Sequence, residues 1–494
     1  MIELFAAGVW ELLQPQVLIV LFLACIVGLV IGALPGLNAT MAVAIILPLT
    51  FSFNAHLGMA TLVAVYIGGI CGGLVSAILL RIPGTPSSVA TTFDGYPLAQ
   101  QGQAVKALGT AMLASYAGGM ISLLVLVMFA PMVARLAINF GPAEYFALSV
   151  MALTMVAALA GKSLVKGAIT ALLGMAFSMV GMAPIDGTPR FTFGEINLWA
   201  GIGLVPFMIG LFAISQVLRE LFRETPRPTV DMTIKGVGVT LKEIRRNLVN
   251  VVRSSGIGVG IGVLPGIGGA ASNMIAYATA RQSSKHPDSF GKGNVDGVWA
   301  SESAGNASIG GALLPLITLG IPGDGVTAII IGGFMIHGLQ PGPLLFTDNP
   351  DIVGIIYAAF FIACTLTLLF QLATLRIFPR VLLMPRRYLL PAITVLAVVG
   401  AYAADNNPFD IGVMLAFGVL GFVLERYRYP LSPMVLGFIL GPILETNLRR
   451  ALMLTDGQIL PMVTQPVAAG FLVVALAILI ISLIPHIRRK QVST

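Results

Sequence analysis

Long apolar stretches separated by short polar ones run along almost the whole chain. A helix that crosses a bilayer needs about 20 mostly apolar residues. Stretches of that kind fall at 16–33, 57–80, 105–135, 142–160, 163–183 and 198–217 in the first half. In the second half they fall at 248–264, 302–320, 352–376, 388–404, 408–425, 430–446 and 466–485. They are apolar nearly all round, unlike the one-sided helices on the surface of soluble proteins. Four other stretches, 34–53, 81–103, 264–281 and 320–345, are too short or too rich in Gly and Pro to be ordinary spans. The pattern predicts an all-α polytopic membrane protein with about 12 transmembrane spans.

The longest polar stretch, 218–247, divides the chain. On either side of it the same marks recur in the same order. ALPGLNAT (33–40) and GGLVSAILLRIPGTP (72–86) in the first half answer to VLPGIGGAASN (263–273) and GGALLPLITLGIPGDG (310–325) in the second. Weaker matches follow, 128–145 with 375–388 and 207–220 with 434–450. Ordered matches at four places read as an internal repeat: residues 1–217, a linker at 218–247, and residues 248–494 ending in a C-terminal helix.

Charge orients the two repeats. The linker holds Arg219, Arg223, Arg227, Lys235, Lys242, Arg245 and Arg246, whereas its counterpart 447–465 holds only Arg449 and Arg450. Loop 376–387 carries Arg376, Arg380, Arg386 and Arg387, against Arg135 alone in 131–141. Loop 161–167 has Lys162 and Lys166, against none in 404–408. Basic loops face the cytoplasm, so paired loops of unlike charge imply repeats of inverted topology. The N-terminus is then expected outside, and the linker and C-terminus inside. The first residues contain two Glu and no Lys or Arg, a poor leader for cleavage, so the first apolar stretch is expected to persist as a helix.

Composition narrows the function classes. Hydrophobic residues make up 57% of the 494 and charged residues only 10%, too few to solvate a soluble enzyme or scaffold of this length. Net charge is +7, but topology accounts for it better than nucleic acid does. Cys25, Cys71 and Cys364 lie in apolar stretches without a CxxC, and the four His residues are scattered without ligand spacing. Neither GxSxG nor HExxH occurs in or near a span, which argues against an intramembrane enzyme. GKS at 161–163 lacks the earlier Gly of a phosphate loop, and GIGGAA at 266–271 lacks a preceding strand. No cofactor is expected.

The candidate chemistry lies at the breaks. Pro removes a backbone N–H and Gly permits positive φ, so LPG at 34–36 and 264–266 and IPG at 82–84 and 321–323 interrupt their helices. Within a bilayer such breaks persist only where protein or a water-filled cavity surrounds them. Paired breaks in both halves point to discontinuous segments around a transport site. Polar residues follow each break: Asn38 and Thr40; Gly84, Thr85, Ser87 and Ser88, with Thr91, Thr92 and Asp94 beyond; Ser272 and Asn273; and Gly323, Asp324 and Thr327. Helix N-termini opened there offer N–H groups to an anion, a role compatible with ordinary capping by the same side chains. Asn306 joins this set, and Glu302 and Asp324, acids at membrane depth, are the candidates for cation coupling. The close pairs Gly68/Gly69 and Gly72/Gly73, and GLVIG at 28–32, suit close helix packing.

The motifs GALPGLNAT, YIGGICGGLVSAILLRIPGTPSSVATTFDGYPLAQQG, GVLPGIGGAASN and SESAGNASIGGALLPLITLGIPGDGVTAIIIGG resemble those of the large membrane subunit of the tripartite tricarboxylate transporter family. That resemblance covers most of the chain. It implies a bacterial inner-membrane secondary transporter working with a small membrane subunit and a periplasmic solute-binding protein. It also implies a carboxylate such as citrate as substrate, and Na⁺ or H⁺ as the coupling ion. The reading is a citrate-like carboxylate symporter that moves by rocking or by an elevator, its scaffold drawn from spans 105–217 and 352–446. A passive organic-anion channel is the alternative. It would need a continuous polar pore and no coupling acid.

Overall fold

The computed structural model describes residues 1–159, 163–222, 238–384 and 386–491. Lys162, Arg223, Arg227 and Lys235 lie outside the described residues, and the side chains of Arg386, Arg387 and the basic C-terminus are likewise not described. Helices dominate. The first half contains α1 (Ile2–Leu12), α2 (Pro15–Ala33), α3 (Ala39–Ile46), α4 (Ala55–Leu80), α5 (Thr91–Leu98), α6 (Ala104–Ala137), α7 (Pro142–Leu159), α8 (Leu164–Ser178), α9 (Leu204–Met208) and α10 (Ser215–Leu221). The second half contains α11 (Leu241–Gly262), α12 (Gly268–Gln282), α13 (Val295–Leu319), α14 (Gly325–Ile336), α15 (Leu345–Asp348), α16 (Pro350–Ala373), α17 (Arg386–Asp405), α18 (Pro408–Arg426), α19 (Ser432–Leu454), α20 (Ile459–Val463) and α21 (Pro466–Gln491). A two-residue antiparallel pair, β1 (Gly181–Met182) with β2 (Pro189–Arg190), is the one sheet among the described residues.

Nine helices among the described residues are long and apolar enough to cross a membrane. α11, α13 and α19 are as long, with 22, 25 and 23 residues, but carry charged or polar turns. Three boundaries differ from the hydropathy reading. α13 begins at Val295, ahead of 302, because its polar first turns pack inside the protein. α8 stops at Ser178 and the chain turns into β1 at Gly181, whose φ is 111°. α11 starts at Leu241, inside the stretch read as linker, where Thr240 and Glu243 form a capping box.

The breaks have matching geometry. α4 ends at Arg81, φ 58°, and α13 at Gly320, φ 71°, both left-handed. At each end a backbone N–H returns across six residues, Ile82 to the Ser76 carbonyl at 3.4 Å and Ile321 to the Pro315 carbonyl at 3.3 Å. Gly36 and Gly266, in the two LPG motifs, have φ 95° and 81°. Close packing repeats too. A β-carbon on Gly28, Gly32 or Gly72 would strike the backbone across the α2–α4 crossing; one on Gly258, Gly262 or Gly311 would do so across α11–α13. Gly174 and Gly437 form the α8–α19 crossing, and Gly210 and Gly418 the corresponding one between α18 and the π-helical turn 209–214.

Polar contacts show which way each half runs. His56, at the start of α4, bonds Glu11 and Asp351, both at 2.7 Å. Both feet of the α2–α3 hairpin therefore lie on that face. Lys106 pairs with Glu243 at 2.5 Å and Arg246 with Asp296 at 3.2 Å on the opposite face. Arg253 reaches Ser283 just beyond α12, so the α11–α12 hairpin enters from that second face. The broken pair α4–α5 runs from the first face to the second, and α13–α14 runs back, bringing His337 against Gly58. These are inverted halves.

Two helical groups result. α4 packs on α2, α3 and α16, and α13 packs on α11, α12 and α6. α7, α8, α18, α19 and α21 pack mainly on one another and on the 204–221 segment. α6 and α16 thus belong with the hairpins, and the scaffold expected from 105–217 and 352–446 shrinks accordingly. Each is drawn in by a small-residue crossing, Gly118 and Gly310 for α6 on α13 and Gly8 with Gly354 for α16 on α1. On the first face, the loop after β1 is fastened to α19. Arg190 grips Glu445 at 2.8 and 3.1 Å, and Arg449 joins Glu445 at 2.9 Å to Asp186 at 3.0 Å. The Thr188 hydroxyl and Arg449 hold the Asp186 carboxyl below its ordinary range.

Gly32→Ala would place a methyl on the Gly69 carbonyl. The expected loss is about 1–3 kcal/mol, seen as a lower Tm of the detergent-solubilised protein. Gly470→Ala, with nothing within 4 Å, is the control and leaves Tm unchanged.

Candidate functional site

The four Pro-Gly breaks meet. The Gly266 N–H donates to the Gly323 carbonyl at 2.8 Å, joining the third break to the fourth. A β-carbon on Gly268 would lie 3.3 Å from the Asp324 β-carbon, and one on Gly325 would lie 3.5 Å from Thr40 Oγ1, which brings in the first break. Asn273 Nδ2 donates to the Pro86 carbonyl at 3.0 Å and its Oδ1 accepts the Ala90 N–H at 3.3 Å, tying the third break to the second. Ser87 Oγ sits where a β-carbon of Gly269 would be, so glycine is required there. Gly84 and Gly323 serve the same purpose, since a side chain on either would strike the backbone of Gly32 and Gly73, or of Gly262 and Ala312.

Polar side chains around this centre form two clusters. The half-buried cluster contains Asn38, Thr40 and Asp324. Asn38 caps α3, its Oδ1 accepting the Met41 N–H at 2.8 Å. Asp324 caps α14. Its Oδ1 accepts the N–H groups of Val326 at 3.0 Å and Thr327 at 2.8 Å, and the Thr327 hydroxyl at 2.8 Å. Its Oδ2 accepts the Tyr66 hydroxyl at 2.5 Å. Four helix ends were expected to face an anion. At α14 that position is already filled by the protein's own carboxylate, which leaves the ends of α3, α5 and α12.

The second cluster is fully buried. Glu302 is 1% exposed. Thr91 Oγ1 donates to Oε1 at 2.6 Å, and Ser115 Oγ donates to Oε2 at 2.9 Å with Asn306 Nδ2 at 3.4 Å. Asn306 also donates to the Glu302 carbonyl at 3.1 Å and accepts the Cys71 thiol at 3.0 Å. Thr85 and Ser88 approach each other at 3.4 Å, and Ser272 Oγ donates to the Gly269 carbonyl at 2.9 Å and the Ala304 carbonyl at 3.5 Å. Thr85, Ser87, Ser88, Ser272, Asn273, Asn306 and Thr327 are all buried. The polar atoms of Thr85, Ser88, Ser272, Asn273, Asn306 and Thr327 are engaged with the protein, so in this state Asn38, Thr40 and Asp324 form the accessible edge. Glu302 and Asp324 share no hydrogen-bond partner among the described residues.

Several participants were not singled out as site residues. Tyr66 and Ser115 are lone hydroxyls within apolar spans, and only the fold shows that they meet acids. Gln216, just after the π-helical turn, donates to the Gly36 carbonyl and so touches the tip of the first hairpin. Asp94 is a structural tie. Its Oδ1 accepts N–H groups from Gly291 at 2.8 Å, Gly293 at 2.9 Å and Asn294 at 2.7 Å, while Oδ2 accepts the Tyr277 hydroxyl at 2.8 Å. Among the described residues no group of three or more His, Cys, Asp or Glu is arranged to hold a metal ion.

Comparison with known proteins gives a family. The sequence model of the tripartite tricarboxylate transporter TctA family matches residues 18–436, a range that includes all four breaks and both polar clusters. An Agrobacterium vitis protein, "Uncharacterized 52.8 kDa protein in TAR-I ttuC' 3'region", is 36% identical over 491 residues, covering 99% of this chain and 98% of that one. A second from the same organism, "Uncharacterized protein in TAR-II ttuC' 3'region", is 39% identical over 231 residues, 47% of this chain and 96% of its own length. No solved structure matches.

Asp94→Ala strips three partly buried N–H groups and the buried Tyr277 hydroxyl of their acceptor. Each orphaned group costs about 1–3 kcal/mol, so a large fall in Tm is expected. Asp94→Asn, which keeps an acceptor oxygen, is expected to lose much less in the same melt.

Proposed function

The chain belongs to the tripartite tricarboxylate transporter TctA family, and we propose that it is the permease that takes up citrate-like tri- or dicarboxylates by symport with Na⁺ or H⁺. In this reading a periplasmic solute-binding protein delivers the substrate and a small membrane subunit completes the complex. The observation that carries it is the meeting of four helix breaks at a half-buried polar edge between two helical groups. Broken backbone is tolerated at membrane depth only where it faces protein or a cavity. Here it brings the ends of α3 and α12 beside Thr40 and Asp324, and such ends attract carboxylates without any Arg. Asn38, Thr40 and the backbone around Gly268 would hold substrate first. Ser87, Ser88, Ser272, Asn273 and Asn306 would join if the hairpins part. Asp324 and Glu302 are the coupling carboxylates.

Transport would move the hairpin-bearing group against the other. Close contacts between the two include Gly36 with Gln216, Pro48 with Gly400, Gly266 with Val156, and Gly325 near Ser432, within an apolar seam that also joins Leu47 and Ile329 to Val205 and Met208. The site lies on it.

The protein would sit in the bacterial inner membrane with the first face periplasmic. Lys106, Lys242, Arg245 and Arg246 gather at the second face, which fits a cytoplasmic side. Cysteine labelling checks this directly. Cys25, Cys71 and Cys364 are buried, so introduced thiols report alone. Phe193→Cys is expected to react with an impermeant maleimide in intact cells, and Lys242→Cys only after permeabilisation. The reverse pattern inverts the assignment.

The functional test is uptake of labelled citrate, and of other di- and tricarboxylates, by cells expressing the chain with both partner subunits. Wild-type uptake is expected to need the binding protein and one imposed cation gradient. Asn38→Ala and Asp324→Asn are each expected to lower uptake at least about tenfold, the loss of one or two hydrogen bonds to a charged group. Flux indifferent to both gradients would mark a passive anion channel. No uptake of any carboxylate, with all subunits in place, would remove the substrate class.

A further inference from the structure

We infer that Glu302 carries a proton through the transport cycle, so that the coupling ion at this residue is H⁺ and not Na⁺. The inference rests on the symport reading above and deepens it. Glu302 is buried two turns into α13, where an ion without a counter-charge is costly. No Lys, Arg or His is paired with it among the described residues. The titratable groups nearby are otherwise engaged. The Cys71 thiol of α4 donates to Asn306, Asp94 of α5 takes three N–H groups and the Tyr277 hydroxyl of α12, and Lys106 of α6 pairs with Glu243 of α11. Neutralisation therefore has to come from a proton or from an ion that enters the cluster.

The surrounding atoms suit a proton. A sodium ion needs several oxygen ligands with lone pairs turned inward. The Ser88 hydroxyl also bonds the carboxyl, and Oε2 faces the Ser115 hydroxyl and the Asn306 amide, whose nitrogen presents only hydrogens. Oε1 faces Thr91 Oγ1, which also lies 3.0 Å from Ser301 Oγ, itself 3.2 Å from the Val298 carbonyl. Hydroxyls both donate and accept. With Glu302 ionised, Ser301 donates to Thr91 and Thr91 donates to the carboxylate. When one proton binds, an O–H bond forms on Oε1 and donates to Thr91. Thr91 then turns its hydrogen to Ser301, and Ser301 turns to the Val298 carbonyl. On release that O–H bond breaks, the proton returns to water on the receiving side, and the row reverses. Both charge states are fully hydrogen-bonded.

The row also reaches the moving parts. Thr91 opens α5, the half-helix after the second break, and Ala90 beside it is held by Asn273 of the second hairpin. Protonation of Glu302 thus resets the hydrogen bonds of a half-helix that lines the proposed site.

Infrared difference spectroscopy tests this without a substrate. The full-length chain in lipid nanodiscs is titrated with acid, in sodium and in potassium buffers. Expected is a carboxyl C=O band that grows with acid, is missing in Glu302→Gln, and is the same in both salts. Thr91→Val removes the donor to the ionised form, so the midpoint should rise by about one pH unit or more. That variant keeps the acid and guards against misfolding of Glu302→Gln. The inference is overturned if the band survives in Glu302→Gln, or if Na⁺ at constant pH depletes it. Citrate uptake by the complex separates the two readings. Wild-type uptake driven by a pH gradient and lost in Glu302→Gln supports the inference, and retention of that uptake in the variant overturns it. Absence of wild-type uptake with a normal infrared titration counts against the symport reading alone.

Discussion

Lipid offers no hydrogen bonds, and the rest of the structure follows from how the chain lives with that. A helix interrupted within a bilayer exposes N–H and C=O groups that hydrocarbon cannot satisfy. Among the described residues four such interruptions meet, and three of them bond to one another, while Gln216 donates to the Gly36 carbonyl of the first. The Gly323 carbonyl takes the Gly266 N–H, and the Asn273 side chain covers both an acceptor and a donor of the second break. One break alone would be a defect. Four breaks brought together become a polar centre inside an apolar protein.

Glycine makes the meeting possible. The helices carrying the breaks cross so closely that a β-carbon would strike a neighbouring carbonyl at Gly28, Gly32, Gly258 or Gly262. Without a hydrophobic drive between helices in lipid, such close approach and the dispersion contacts it yields hold the hairpins to α4 and α13. The same crossings recur in both halves in opposite sense. The centre therefore sits where the halves interlock, with α6 of the first clasped to α13 of the second.

The site's chemistry follows from which polar atoms the packing leaves over. Most hydroxyls and amides after the breaks are used in holding the structure shut. Asp324 neutralises the helix end that it caps. What remains open is a short edge at Asn38, Thr40 and Asp324, beside the contact between the two helical groups. Under the proposed function, a carboxylate bound there would have to compete with hydrogen bonds the protein already makes, which would tie binding to movement of the hairpins.

Much of this was legible in the residues themselves. Membrane embedding, helical class, the repeat, and the breaks at LPG and IPG are consequences of apolar runs and of two residue types that end helices, and both are local properties. The positions of Asn38, Asp324 and Glu302 after or near the breaks were likewise visible. Boundaries set by packing were not, as at α13, whose polar first turns are buried by neighbours distant in sequence. Tyr66 and Ser115 look like ordinary residues of apolar spans until the fold turns them toward Asp324 and Glu302. The grouping of α6 and α16 with the hairpins, and the separation of the two acids into different clusters, also belong to the tertiary structure. Hydropathy and turn chemistry act over a few residues, whereas a hydrogen bond between Thr91 and Glu302 exists only after some two hundred intervening residues have folded.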